Sequence, residues 1–334
     1  MQKSQLPAIC GICPYGCHVK VTLSDGRIVD VKSNSDSPYG NLCPKGKRAP
    51  QVVYSPDRVQ KPLIRNGKKG SVSYREANWD EALGLIGNAF KRVKKKYGAA
   101  AAASYMGGGT LEDSLSLLGD SFLQPFGSPN DMDCGSICYV SSRVIAPLTT
   151  LGIEDRNLIP DYENAEAVVI WGTNPANGCL PDRYRRILEA KKRGAQVIVV
   201  DPRLQALANV ADIWVPVRPG TDGAFILGVL NIVIQKGWYD QQFVNNMTVG
   251  FEEFRNYAQK FTPERVATTC HIEKQMVLQM AEILTKKSTT LNFYTGLEYA
   301  SSAVQNTRAL YILWALTGNI DVRGGLYIDE YSCE

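Results

Sequence analysis

Apolar positions along this chain change period several times, and each change marks an element. Positions 19–23 and 27–31 alternate well enough for a hairpin that turns at Asp25-Gly26. From Trp79 to Tyr97 the period becomes helical, with Leu83, Ile86, Phe90 and Val93 on one face and Asp80 as the expected N-cap. Residues 165–171 are a nearly continuous apolar run bounded by Gly172, the pattern of a strand buried on both faces. A helix is expected over 182–193, stopped by Gly194, then a strand over 196–200 ending at Asp201-Pro202-Arg203. A further strand over 213–217 leads through the loop 218–223 into a helix reaching Ile234. Helices at 263–266 and 272–286, a strand at 291–294 ending at Gly296, and a helix at 302–316 complete the pattern. The layout is α/β, with no repeat at solenoid periods.

Polar, glycine-bearing loops fall where these strands end: 172–176, 201–203, 218–223 and 296–298. Open parallel sheets bind ligands at that end, and the helix that follows offers free N–H groups to phosphate. Any one such loop is ordinary turn chemistry. None is a G-x-G-x-x-G or a P-loop, which removes ordinary NAD or ATP binding. Four in succession, behind the cysteine motif described below, point to a large phosphorylated cofactor.

A length of 334 residues allows about two domains, and 44% hydrophobic with 21% charged residues describes a globular chain. The net charge of +4 makes no case for nucleic acid. The densest basic run, Lys91 to Lys96, closes the first helix, where cations suit the helix C-terminus. No segment reaches the ~20 apolar residues of a membrane span; the best, 225–234, is interrupted by Asn231. The first residues show no charged-then-apolar signal, so the sequence reads as cytoplasmic, although a leader removed earlier would leave the same text. Two histidines in all argue against triad hydrolysis and histidine-rich metal sites.

Cys10, Cys13, Cys17 and Cys43 read C-x2-C-x3-C-x25-C, the last within Cys43-Pro44-Lys45-Gly46. Three close thiols and one returning from a distance suit an iron–sulfur cluster. A zinc site usually shows two C-x2-C knuckles or cysteines with histidines, and here His18 merely adjoins Cys17. Disulfides are the third reading, since nine cysteines leave many pairings. Lys45, Lys47 and Arg48 after Cys43, and Lys20 after Cys17, would stabilise an anionic cluster. Residues 1–63 are expected to form a small unit of short strands for which the cluster is the staple. Farther along, Cys134 and Cys138 lie in DCGSICY at the start of a helix expected from Ser141. A thiolate there suits a soft transition metal, and the alternative is a pair of small buried hydrophobes.

Together these stretches resemble the molybdopterin oxidoreductases of the dimethyl sulfoxide reductase and formate dehydrogenase family. Carrying the resemblance, in family order, are the cysteine motif with CPKG, SPDRVQKPL, WDEAL, VVIWGTNPA, VIVVDPR, ADIWVPVRPGTDGA, YTGLEY and LTGNIDVRGG. The resemblance implies a 4Fe–4S domain at 1–63, part of an α/β domain with the metal-ligand loop at 64–160, and a dinucleotide-type domain at 161–334. It implies doubly wound parallel sheets and two pyranopterin guanine dinucleotides around one molybdenum or tungsten ion. The position of the family's metal ligand is Cys138, and Lys45 matches the lysine between cluster and pterin. Gly172, Thr173, Asn174, Asp201 and Arg203 match contacts to one dinucleotide, and Gly220, Thr221 and Asp222 match the loop meeting the other.

Two departures matter. Formate dehydrogenases carry His after the metal ligand, whereas this chain has Tyr139, which weakens formate as the substrate. The family also continues into a C-terminal β-barrel domain, whereas this sequence stops at Glu334 and is expected to hold the double cofactor poorly alone. The implied activity is two-electron chemistry on a small sulfur compound or other inorganic oxyanion, with an iron–sulfur subunit as electron partner. Its rivals are a tungsten hydratase resembling acetylene hydratase and an electron-relay subunit resembling the large iron–sulfur subunit of respiratory complex I. Nothing in the sequence gives a role to Cys134, Cys179, Cys270 or Cys333.

Overall fold

Among the described residues, seven short strands and one long helix organise the first of the two units into which the chain divides, between Cys134 and Gly135. The computed structural model describes residues 3–13, 15–107, 121–178 and 180–329, so Cys179 and Cys333 lie outside it. Strands β1 (Lys3–Ile9), β2 (His18–Ser24) and β3 (Arg27–Ser33) form an antiparallel sheet in that order. Asp25 and Gly26 supply the two positive φ angles, 49° and 78°, that the hairpin turn requires. Strand β1 was not anticipated: all seven of its positions are exposed and Pro7 interrupts it, which only an edge strand tolerates. Its register, Lys3 opposite Ser24 through Ile9 opposite His18, delivers Cys10 beside the start of β2.

Two strand pairs follow: β4 (Leu63–Arg65) antiparallel to β5 (Tyr74–Glu76), and β6 (Ser104–Met106) parallel to β7 (Asp131–Asp133). The helix Trp79–Tyr97 is capped by Asn78, whose side chain accepts the Glu81 N–H at 2.8 Å. Asp80, the expected cap, lies instead in the first turn, where its charge favours the helix dipole. Phe90 on the expected apolar face packs edge-on against Phe122 and Phe126, whereas Leu83 and Ile86 remain exposed.

The second unit holds β8 (Leu158–Pro160), β9 (Ala167–Trp171), β10 (Gln196–Val200), β11 (Ile213–Val215), β12 (Thr289–Phe293) and β13 (Leu326–Ile328). Four of these make a parallel sheet in the order β11-β10-β9-β12, while β8 and β13 pair antiparallel. Alternation of side chains assigns the two faces. Val169, Trp171, Ile198 and Val200 pack with the helices Asp222–Gln235, Pro263–Cys270, Lys274–Lys286 and Ala303–Leu316. Val168, Ile170, Val197 and Val199 pack on Ile187 and Ala190 of the helix Pro181–Lys192. Helices on both faces make the sheet doubly wound, as expected. Strand order reverses between β9 and β12, and such a switch point opens a crevice at the strand C-termini. The helices Gln241–Met247 and Phe251–Ala258 were not anticipated.

Buried polar groups lock the far end of this unit. Asn319 accepts the Thr289 N–H at 2.8 Å and donates to the Leu284 carbonyl at 2.9 Å, tying the start of β12 to the Lys274–Lys286 helix. Asp161 accepts the Gly324 N–H at 2.8 Å and both of its oxygens meet the Asn164 amide at 3.0 Å. Burial pushes the Asp161 carboxyl up, but these hydrogen bonds outweigh it and hold the group below its usual range.

Asn319→Ala leaves two buried backbone groups unpaired and is expected to cost about 2 kcal/mol, read as a lower urea midpoint at unchanged slope. Asp161 contributes stability that is complete above the ordinary Asp pKa and lost as pH falls through its depressed folded value. Acid titration of Asp161→Asn should therefore show a shallower loss of stability below about pH 4 than wild type.

Candidate cofactor sites

In the first unit the four N-terminal cysteines converge. Cys17 and Cys43 are buried, while Cys10 and Cys13 are partly exposed. Burial pushes the Cys17 thiol up to about 12, and the neighbouring Cys10, Cys43 and Cys13 add to the rise, which places all four within electrostatic reach. The Cys10 N–H donates to the Cys17 carbonyl at 2.8 Å, closing the loop of ligands on itself. Gly46 completes the cradle: a Cβ there would sit 3.0 Å from the Cys10 sulfur and against Leu42.

The alternatives to a cluster lose ground on these observations. His18 Nδ1 shares a hydrogen bond of 2.8 Å with Ser37 and its ring lies against Tyr39. All four cysteines are free thiols. Among the described residues no three His, Cys, Asp or Glu side chains are grouped to hold a metal ion. An iron–sulfide cube makes no such demand, because each of its four irons takes one thiolate. The donor set fits that cube. Lys45 and Lys47 are exposed beside it on the short helix Pro44–Lys47, whereas Lys20 is paired to Asp36 at 2.7 Å.

In the second unit the expected loops meet at the C-terminal end of the sheet. Gly172 follows β9 and Gly296 follows β12, and the Gly296 N–H donates to the Gly172 carbonyl at 2.9 Å. A Cβ on Gly172 would lie 2.8 Å from the Gly296 Cα, so neither position admits a side chain. Gln205 bridges the next two loops, donating to the Thr173 carbonyl at 2.8 Å and to Asp201 at 3.0 Å. Asp201 is buried and accepts the Arg203 N–H at 2.8 Å, while the Arg203 side chain is exposed. Asp222 accepts the Trp171 indole N–H at 2.8 Å. Burial raises the Asp222 carboxyl, the indole bond opposes this, and the charge of Asp201 adds to it, so the two loops lie close. Cys270 lies beneath the third loop: its carbonyl accepts from Arg218 at 2.9 Å and its sulfur faces the Thr221 carbonyl at 3.6 Å.

Cys138 joins this end of the sheet. Its sulfur lies 3.8 Å from the Tyr299 hydroxyl, and Tyr299 ends the short helix Thr295–Glu298 that follows β12. After Cys138 the chain winds as a π-helix, Val140–Ile145, where a helix from Ser141 was expected, and continues as α-helix Ala146–Leu151. Ser142 and Arg143 of that wide turn contact Glu298 at 2.7 Å and 3.4 Å. Arg143 also reaches Asp155 at 3.4 Å, and Asp155 accepts the Tyr311 hydroxyl at 2.8 Å. Burial raises both carboxyls, more than Arg143 lowers them.

Among the described residues, several buried polar atoms in these loops or in the adjoining strand and helix have no protein partner: Asn174 Oδ1, Gln205 Oε1, Asn292 Nδ2, Glu298 Oε2 and Asn306 Nδ2. Native structures rarely leave such atoms unmatched, and a polar ligand is one way to satisfy them. The residues present fit a large polar cofactor at this end of the sheet. Glu298 stood within a loop flagged by the sequence and Tyr299 within the YTGLEY stretch, but Ser142, Arg143 and Asp155 carried no signal, since they meet partners 12 to 156 residues away.

A sequence model described as molybdopterin oxidoreductase matches residues 58–326, and the Fe4S4 domain of the same family matches residues 4–55. Nitrate reductase of Symbiobacterium thermophilum is 31% identical over 93% of this chain and 43% of its own length. Thiosulfate reductase molybdopterin-containing subunit PhsA of Salmonella typhimurium is 26% identical over 96% of this chain and 42% of its own. Among solved structures, acetylene hydratase from Pelobacter acetylenicus superposes with a TM-score of 0.77 at 27% identity, covering 96% of this chain and 44% of that one. The chain thus spans less than half the length of these relatives.

Gly46→Ala forces a methyl against the Cys10 sulfur and Leu42. Iron and acid-labile sulfide per chain after anaerobic reconstitution should fall at least twofold, with the fold retained by circular dichroism. Gly296→Ala drives a methyl into the Gly172 backbone and should destabilise the second unit by about 2 kcal/mol in urea, within the range of overpacked core sites.

Proposed function

Because the chain belongs to the molybdopterin oxidoreductase family, we propose that it is the cofactor-bearing part of a molybdenum- or tungsten-dependent oxidoreductase. Its two matched domains bring a 4Fe–4S cluster and molybdopterin as cofactors. The observation that carries the reading is the meeting of Cys138 with the glycine loops at the C-terminal end of one parallel sheet.

In this reading Cys10, Cys13, Cys17 and Cys43 hold the cluster, and Cys138 ligates the molybdenum or tungsten. Gly172, Thr173, Asn174, Asp201 and Arg203 hold one guanine dinucleotide, with the exposed Arg203 guanidinium, whose Nε lies 3.7 Å from Asp201, offering its remaining N–H groups to phosphate. Gly220, Thr221 and Asp222 hold the other at the start of the Asp222–Gln235 helix, whose first N–H groups attract anions. The metal, when bound, supplies the two-electron redox change. Cys138 fixes where that change occurs, and the Gly172–Gly296 contact holds the loops around it. Lys45, two residues past Cys43, keeps positive charge beside the cluster and tunes the potential at which electrons leave for a partner iron–sulfur subunit.

The substrate class is a small sulfur compound or other inorganic oxyanion. Similarity to a thiosulfate reductase and a nitrate reductase is compatible with it, similarity to formate dehydrogenases is equally strong, and Tyr139 in place of the histidine of formate dehydrogenases is what disfavours formate. Likeness to acetylene hydratase keeps a second reading in view, a hydratase with the same cofactors and no net redox change. No helix among the described residues is long and apolar enough to cross a membrane.

Anaerobically prepared full-length enzyme should contain four irons and one molybdenum or tungsten per chain, and should turn over only with an electron donor or acceptor. Zinc in place of iron would overturn the cluster assignment. Iron without molybdenum or tungsten would support a relay subunit, and turnover without any redox partner would support the hydratase. Lys45→Ala is expected to keep its cluster, lower the cluster potential and slow reoxidation. One unscreened charge at about 6 Å and a dielectric near 20 is worth on the order of 100 mV, so an exposed lysine should give tens of millivolts.

A further inference from the structure

Two segments that are 161 residues apart in sequence meet at Cys138, and the contact is secured from both sides. On one side the π-helical turn Val140–Ile145 presents Ser142 and Arg143. On the other, Tyr299 donates its backbone N–H to the Thr295 carbonyl at 3.0 Å and closes the helix Thr295–Glu298, which begins at the Gly172–Gly296 contact. Between them Glu298, whose side chain is 1% exposed, accepts from Ser142 Oγ at 2.7 Å and Arg143 Nε at 3.4 Å. The Arg143 guanidinium lies 4.6 Å from the centre of the Tyr294 ring and extends to Asp155, which the Tyr311 hydroxyl holds in turn. Glu298 is buried while Arg143 and Asp155 are partly exposed, and removing any one of the three weakens the pairing of the others. The network therefore fixes the turn carrying Cys138 against the loop carrying Tyr299.

Tyr299 itself is 68% exposed, and an exposed tyrosine is usually just surface. Its hydroxyl, however, points at a sulfur 3.8 Å away, and its neighbour Glu298 is the pin of the network. We propose that Tyr299 is a positioning residue whose phenol donates a hydrogen bond to the Cys138 sulfur, with Glu298, Ser142 and Arg143 holding it in register. The proposal rests on the reading of Cys138 as the metal ligand. A hydrogen bond to a thiolate ligand draws electron density from the sulfur, weakens its donation to the metal and favours the reduced ion. Tyr299 thereby sets the potential of the metal rather than touching the substrate.

The test uses the full-length enzyme with its cofactors. Tyr299→Phe should keep the wild-type content of molybdenum or tungsten, displace the electron paramagnetic resonance signal of the pentavalent metal, and lower the midpoint of the metal couple. Glu298→Ala should move both readouts in the same direction, and Glu298→Gln, which still accepts from Ser142, should move them less. Cys138→Ser separates the two ideas. An unchanged metal signal in Cys138→Ser would overturn the ligand assignment and this inference with it. A changed signal in Cys138→Ser, with signal and potential at wild-type values in Tyr299→Phe, would overturn the role of Tyr299 alone.

Discussion

Contact between two bare backbones, Gly172 against Gly296, is the constraint on which the second unit's binding face depends. Strands β9 and β12 run parallel and adjacent, yet the chain must leave them toward opposite sides. Any side chain at either glycine would wedge these exits apart. With none, the Gly296 amide bonds the Gly172 carbonyl and the two loops leave the sheet from a fixed origin. Everything placed beyond them inherits that origin: Thr173 and Asn174 on one side, Glu298 and Tyr299 on the other. Asp201 is then brought in by Gln205, and Asp222 by the Trp171 indole.

The first unit works on the opposite principle. Among the described residues, the buried core of its cysteine-bearing part is Cys17, Val19, Val31 and Leu42, with Cys10, Tyr15, Val21, Ile28 and Ala49 partly buried against it. Little apolar area is removed from water there, so ligation of a cluster, as proposed, would supply free energy for ordering the cysteine-bearing segment. The raised thiol of Cys17 expresses the same fact. Four thiolates crowded there would repel one another, a repulsion that the positive charge of a bound cluster would relieve.

How much of this was legible in the sequence follows from the range of the interactions concerned. The buried strands β9 and β10 showed as apolar runs because both faces are covered, and the α/β pattern with its strand-end loops came directly from them. The hairpin was marked by Asp25-Gly26. Strand β1 escaped notice because an edge strand with exposed residues and a proline carries no period. Asn78 displaced Asp80 as the cap because either spacing satisfies the local rule, and the helix start decides. In the candidate sites the loop positions were visible, but the salt-bridged brace was not. Arg143, Asp155 and Glu298 are ordinary charged residues until the fold brings positions 143 and 298 together.

The wide turn after Cys138 has a mechanical consequence of its own. A π-helix advances more residues per turn than an α-helix, so the segment Val140–Ile145 behaves as a helix carrying a surplus residue. Deleting a single residue there would let the backbone relax to the regular pitch and leave the helix beyond it in register, because a π-bulge absorbs its insertion locally. What would be lost is the widened stretch itself, from which Ser142 and Arg143 reach Glu298. The surplus residue is thus a local device that aims two side chains without turning the helix that follows.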